Sequence, residues 1–274
     1  MIETRQPRIE TALGIVDEES DVLSAEKRAF EDFLARLVEG DGTSLRATGT
    51  VHAMGGSGAA TGGWSASTGG GTAGTAALAV ADAPPSKVLE RIRTAYRETV
   101  MSVPHYETDY GDSLFENLAA EFGRDLARQV TRGPSVTPVL YEALVDGTKR
   151  ARAERTRFLA ALRRERESLE RTRDELNDCE TEAIRLGDRI AGSGWSDELG
   201  AIDRELEALE RRCESISRRR QQLLHSRPIT NLAGVGTGGL SQYLYGECET
   251  TCPALADVSD CVETIRLLRR RCLR

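Results

Sequence analysis

The chain has 274 residues, 44 acidic and 37 basic side chains, a formal net charge of −7 and 5% aromatic residues. That length holds one or two domains, the mild acidity excludes a whole-protein electrostatic drive toward nucleic acid, and so few aromatics suit leucine seams better than a thick core. No run of about 18 apolar residues occurs, and Met1 to Arg8 leads into an acidic helical pattern rather than a hydrophobic secretory segment, so no membrane span and a cytoplasmic location are expected.

Residues 1–39 form a predicted acidic helix. Ile9, Leu13, Val16, Leu23, Phe30, Leu34 and Leu37 make its apolar side, Pro7 suits an early helical position, and Gly40 with Gly42 is expected to stop it. Residues 40–83 are rich in glycine, alanine, serine and threonine, with Trp64 as the lone large aromatic. Such a chain has little to bury against its backbone entropy, so a disordered linker is expected. No Gly-Lys-Ser/Thr closes any of its glycine runs, which removes a phosphate-loop reading.

Residues 84–136 read as a two-helix segment. Val88, Leu89, Ile92, Tyr96, Val100 and Val103 describe a helix stopped by Pro104; Leu114, Phe115, Leu118, Phe122, Leu126 and Val130 describe another, over about Asp112 to Val130. Between them lies a polar junction of His105, Tyr106, Glu107, Asp109 and Tyr110. One imidazole with carboxylates and phenols has the chemistry of a general base or a metal ligand. Only His52 and His225 remain to complete a metal set, so the favoured reading is a turn pinned by its side chains, with no metal, cofactor or catalytic residue assigned.

Residues 137–227 give the dominant pattern. Phe158, Leu162, Leu169, Leu176, Ala183 and Ile190 recur along one arm, and Leu199, Ile202, Leu206, Leu209, Cys213, Ile216, Arg220 and Leu223 along the other. A period near 3.5 predicts a long antiparallel coiled-coil hairpin, which makes the expected fold class all-α with flanking helices and a disordered Gly-rich linker. Thr137 with Pro138 caps the first arm, and Ser196 is the predicted cap of the second. Two registers satisfy the seam. One faces Ile190 with Leu199 and Leu176 with Cys213; the other faces Cys179 with Cys213 and Leu186 with Leu206, and makes a Cys179 to Cys213 disulfide conceivable. Glu165 and Arg220 at seam positions, on an arm longer than its partner, point to assembly. Met1 to Thr48 carries an acidic excess and Lys149 to Arg173 a basic one, which predicts that the N-terminal helix lies along the basic arm.

Residues 228–274 form a C-terminal segment ending in a helix from about Leu255 to Arg271. Cys248, Cys252, Cys261 and Cys272 lack zinc spacing, since Cys261 and Cys272 would stand about 16 Å apart along one helix. Arg218, Arg219 and Arg220, with Arg269, Arg270 and Arg271, are candidate phosphate contacts because guanidinium forks suit phosphate. Solvated flanks paired to glutamates are the blander and favoured reading.

The run from Tyr96 to Tyr106, and the closing pattern around Tyr243 to Gly246, Cys252, Pro253 and Leu255 to Ile265, resemble a family of uncharacterised haloarchaeal coiled-coil proteins. The resemblance implies a salt-adapted archaeal origin and a coiled-coil middle, and brings no activity with it; among the 37 basic residues only Lys27, Lys87 and Lys149 are lysine and the rest are arginine, a matching composition. The function expected is a non-catalytic helical scaffold or protein-interaction protein, with a protein partner or homo-oligomer. A nucleic-acid-associated regulator using the arginine clusters is the alternative, and a metal or redox enzyme the weaker one.

Overall fold

The computed structural model describes residues 7–46, 85–192, 196–225 and 239–273. Among them are nine α-helices and one 3-10 turn: α1 (Arg8–Arg46), α2 (Pro85–Thr99) followed by the 3-10 turn Val100–Ser102, α3 (Tyr106–Asp109), α4 (Leu114–Phe122), α5 (Arg124–Arg132), α6 (Pro138–Gly192), α7 (Ser196–His225), α8 (Gly239–Tyr245) and α9 (Pro253–Cys272). They fall into two compact units. One comprises Met1–Ser24 with Ala153–Arg274, the other Ala25–Arg152.

In the first unit, α6 and α7 are antiparallel neighbours, as pairs from Arg189 with Glu205 (3.0 Å) to Arg212 with Asp178 (2.9 Å) require. The all-α class stands, but the long coiled-coil hairpin does not. Its seam is part of a multi-helix core in which Leu162, Leu169, Leu206 and Ile216 pack with Ile9, Leu13 and Val16 of α1, Tyr245 of α8, and Ala254, Val258, Cys261 and Ile265 of α9. The four α9 residues step by four, three and four, which puts them on one buried face. α9 reaches both arms: a methyl group on Gly187 of α6 would sit 3.3 Å from Leu268, and the sulfurs of Cys213 and Cys261 are 3.9 Å apart. A heptad seam records that a helix has an apolar stripe; it carries no information on whether one helix or several cover it.

The charge contrast between α1 and α6 is realised as contact. Arg166 Nε donates to Asp17 at 2.7 Å and Arg173 pairs with Glu10 at 3.7 Å. Arg8 closes the first turn of α1 onto α9, donating to Asp257 (3.0 Å) and Asp260 (2.7 Å), while the Ile9 N–H donates to the second oxygen of Asp257 at 2.8 Å.

In the second unit, Phe30, Phe33 and Leu37 of α1 pack with Val88, Leu89, Ile92 and Tyr96 of α2, Leu118, Ala127, Val130, Leu140 and Leu144. Tyr96 is wholly buried, meets Phe33 and Phe122 edge-on with centroids 5.0 and 5.9 Å away, and donates its hydroxyl to Asn117 at 2.7 Å. Two stops differ from expectation. α1 runs through Gly40 and Gly42 to Arg46, and the helix expected over Asp112 to Val130 is broken at Gly123, whose φ of 90° is left-handed and unsuited to a side chain. Ser113 begins α4 with a capping box to Glu116, and Thr137 accepts the Leu140 N–H at 3.1 Å to begin α6. No Gly-rich linker is shown: residues 47–83 lie outside those described, as do 193–195 of the predicted turn and the Ser196 side chain.

Gly147 of α6 makes a testable contact, since a Cβ there would lie 2.8 Å from the Phe122 ring. Phe122 is held edge-on by Phe30 and Tyr96, so it cannot simply turn away. Overpacking of this kind costs about 1–3 kcal/mol and exceeds the ~1 kcal/mol helix-propensity gain of alanine over glycine. Gly147→Ala is therefore expected to lower the midpoint in thermal unfolding.

Candidate functional site

Three clusters gather the chemically capable residues. The first is in the second unit, where α1 supplies a residue that the sequence pattern did not single out. Glu26 is 6% exposed, and one carboxylate oxygen accepts the Tyr110 hydroxyl at 2.6 Å and faces His105 Nε2 at 3.4 Å. The junction therefore contributes His105 and Tyr110 to a carboxylate 79 and 84 residues earlier in the chain. Tyr106 is buried and donates to the Asp112 carbonyl at 3.0 Å; burial first, then the Asp112 and Glu107 carboxylates, raise its phenol above the ordinary value. Glu107 and Asp109 face solvent. The signal for Glu26 was present only as a polar residue among the apolar positions of the first helix.

The second cluster lies in the first unit. Arg220, 3% exposed, forks onto both oxygens of Glu165, 5% exposed, and donates to Ser168 at 3.1 Å. Tyr245, wholly buried, donates to the same carboxylate at 2.8 Å; burial and the Glu165 charge push its phenol well above the usual range. Two charges taken out of water are tolerable here because the carboxylate accepts three hydrogen bonds, two from Arg220 and one from Tyr245. Glu165 and Arg220, expected to mark assembly, instead satisfy one another across α6 and α7.

The remaining candidate cations divide. Arg219 pairs with Glu175 and donates to Ser215 at 3.1 Å; Arg269 grips Asp203 and Glu210, both at 2.9 Å; Arg218, Arg270 and Arg271 face solvent. Beside Arg219, a groove of about 230 Å³ between α6 and α7 is lined by Arg164, Arg171 and Glu167. Glu210 also accepts from Arg266 at 2.6 Å, and these guanidinium bonds, Arg266 first, lower its pKa below the ordinary 4.5 despite its partial burial. A depressed carboxylate stabilises the fold above its unfolded value, and that contribution is lost as pH falls through the folded one. The difference in melting temperature between the wild type and Glu210→Gln is accordingly expected to close on acidification below pH 4.5.

The third cluster is sulfur. Cys179 and Cys213 are buried thiols in one core, and Cys261 adds a third, its sulfur 3.9 Å from that of Cys213. The Cys213 contact, then burial, raise the Cys179 thiol well above its normal range. At Cys213 the contact with Cys179 opposes a rise, but Cys261 and burial prevail and push it up to about 12. Among the described residues, no group of three or more His, Cys, Asp or Glu side chains is placed to hold a metal ion. His52 lies outside those residues.

The model of one protein family, a domain of unknown function designated DUF7260, matches residues 7–269. The chain belongs to this family. DUF7260 replaces the resemblance to a haloarchaeal coiled-coil family: nothing found indicates a haloarchaeal origin, and the bundled packing of α6 and α7 with α1, α8 and α9 is not that of a simple coiled coil. No curated protein and no solved structure matches this DUF7260 chain. No helix among the described residues is long and apolar enough to cross a membrane.

Proposed function

We propose that the protein is a non-catalytic helical scaffold that works through contact with a protein partner or with a second copy of itself. The observation that carries this reading is the use made of its most reactive-looking side chains. Arg220 is committed to Glu165, Arg269 to Asp203 and Glu210, and His105 with Tyr110 to Glu26, so each candidate cluster holds helices together. Val139 and Ile184 on α6, 76% and 67% exposed, and Leu267 on α9, 50% exposed, are large apolar side chains on the surface. The proposed setting is the cytoplasm, where six free thiols would be kept reduced.

Light scattering coupled to size exclusion, at moderate and high salt, tests the reading. A defined oligomer with protein-like absorbance supports it, and a monomer at both salts counts against self-association. The second reading, a nucleic-acid-associated regulator, draws on Arg164, Arg171 and Arg219 around the groove. It requires a mobility shift on adding duplex DNA that weakens as salt rises.

A further inference from the structure

Three helices distant in sequence deliver one buried thiol each to a single place in the first unit. Cys179 of α6 and Cys213 of α7 have no exposed surface, and Cys261 of α9 is 4% exposed. The arrangement is not symmetrical: the Cys213 sulfur is 3.9 Å from that of Cys261, and Cys213 is also the group that shifts the Cys179 thiol most, in the same buried core. We propose that Cys213 is the shared centre of a thiol–disulfide relay, closing a disulfide either to Cys179 or to Cys261 and so tying α7 to α6 or to α9.

The chemistry balances with a peroxide as oxidant. Two thiols give up two electrons and two protons, one sulfur–sulfur bond forms, the peroxide oxygen–oxygen bond breaks, and two waters leave. The third thiol then sits beside the new bond. As a thiolate, Cys261 attacks the Cys213 sulfur of a Cys179–Cys213 bond along the route of disulfide exchange; the new bond joins Cys213 to Cys261, and Cys179 departs and takes up the proton that Cys261 released. This second step is redox-neutral and moves the cross-link from one helix pair to the other. Burial keeps the resting thiols protonated and slow to react, so the first bond waits on a local opening of the core. In a reducing compartment the relay lies silent, and sustained peroxide engages it.

The test is exposure of the full chain to hydrogen peroxide, alkylation of remaining thiols after unfolding, and a non-reducing peptide map. Most of Cys213 is expected to escape alkylation, bonded to Cys179 in some molecules and to Cys261 in others, and dithiothreitol should restore it. In Cys261→Ala only the Cys179 linkage should form, and in Cys179→Ala only the Cys261 linkage. The wild-type map alone suffices should either variant fail to fold. Recovery of Cys213 as an alkylated thiol after exhaustive oxidation overturns the proposal, and so does a Cys179–Cys261 bond that leaves Cys213 free.

Discussion

Arg220→Met is expected to destabilise the first unit by about 3–5 kcal/mol, because it strands a buried carboxylate. Glu165, 5% exposed, would keep only the Tyr245 hydroxyl as a partner in a setting where it now also has both arms of a guanidinium. The matching experiment is the double variant Arg220→Met with Glu165→Gln. It removes the charge and leaves an amide oxygen that still accepts from Tyr245, so most of the lost stability should return. Urea unfolding followed by circular dichroism reads both. Equal losses in the single and double variants would mean that helix packing, not the stranded charge, sets the cost.

Tyr96→Ala should be the most damaging single change in the second unit. The ring has no exposed surface and two edge-on aromatic neighbours, Phe33 and Phe122, so its removal leaves a cavity that those rings cannot close. Truncations of buried aromatics cost about 3–5 kcal/mol. Tyr96→Phe isolates the hydroxyl: Asn117, 5% exposed, loses its 2.7 Å donor, an unmet buried acceptor worth about 1–3 kcal/mol. The expected order in thermal or urea unfolding is therefore wild type, then Tyr96→Phe, then Tyr96→Ala. A phenylalanine variant as unstable as the alanine one would place the stabilisation in the hydrogen bond and contradict the packing account.

Periodicity revealed the helices and their inward faces because both follow from local spacing. The seam residues Leu162, Leu169, Leu206 and Ile216 are buried, and Thr137 caps α6. What the period could not carry was the number of neighbours. A 3.5-residue stripe on α7 looks the same whether it meets α6 alone or α6 and α9 together, and the residues that decide this lie about fifty positions away, at Cys261 and Ile265. Glycine was misleading in both directions. Gly40 and Gly42 read as a stop and lie within α1, whereas Gly123, inside an unbroken apolar pattern, turns the chain at a φ of 90°. The polar sites were legible as halves: Glu165 and Arg220 stood out as charges on an apolar seam, and His105 and Tyr110 as a polar turn. Their partners Tyr245 and Glu26 were hidden because long-range pairing leaves no local spacing.

The clasp of Arg8 and Ile9 on Asp257 joins residues 249 and 248 positions apart. On a ribosome this separation becomes a delay. The stretch Ala25–Arg152 has left the exit tunnel with all its own helices while Ile9, Leu13 and Val16, synthesised before it, still lack α9. At ~5–20 residues per second, those three apolar side chains wait on the order of ten to fifty seconds for the helix that carries Asp257. The first turns of α1 are thus buried long after they are made, and they are where a holding chaperone would find its grip.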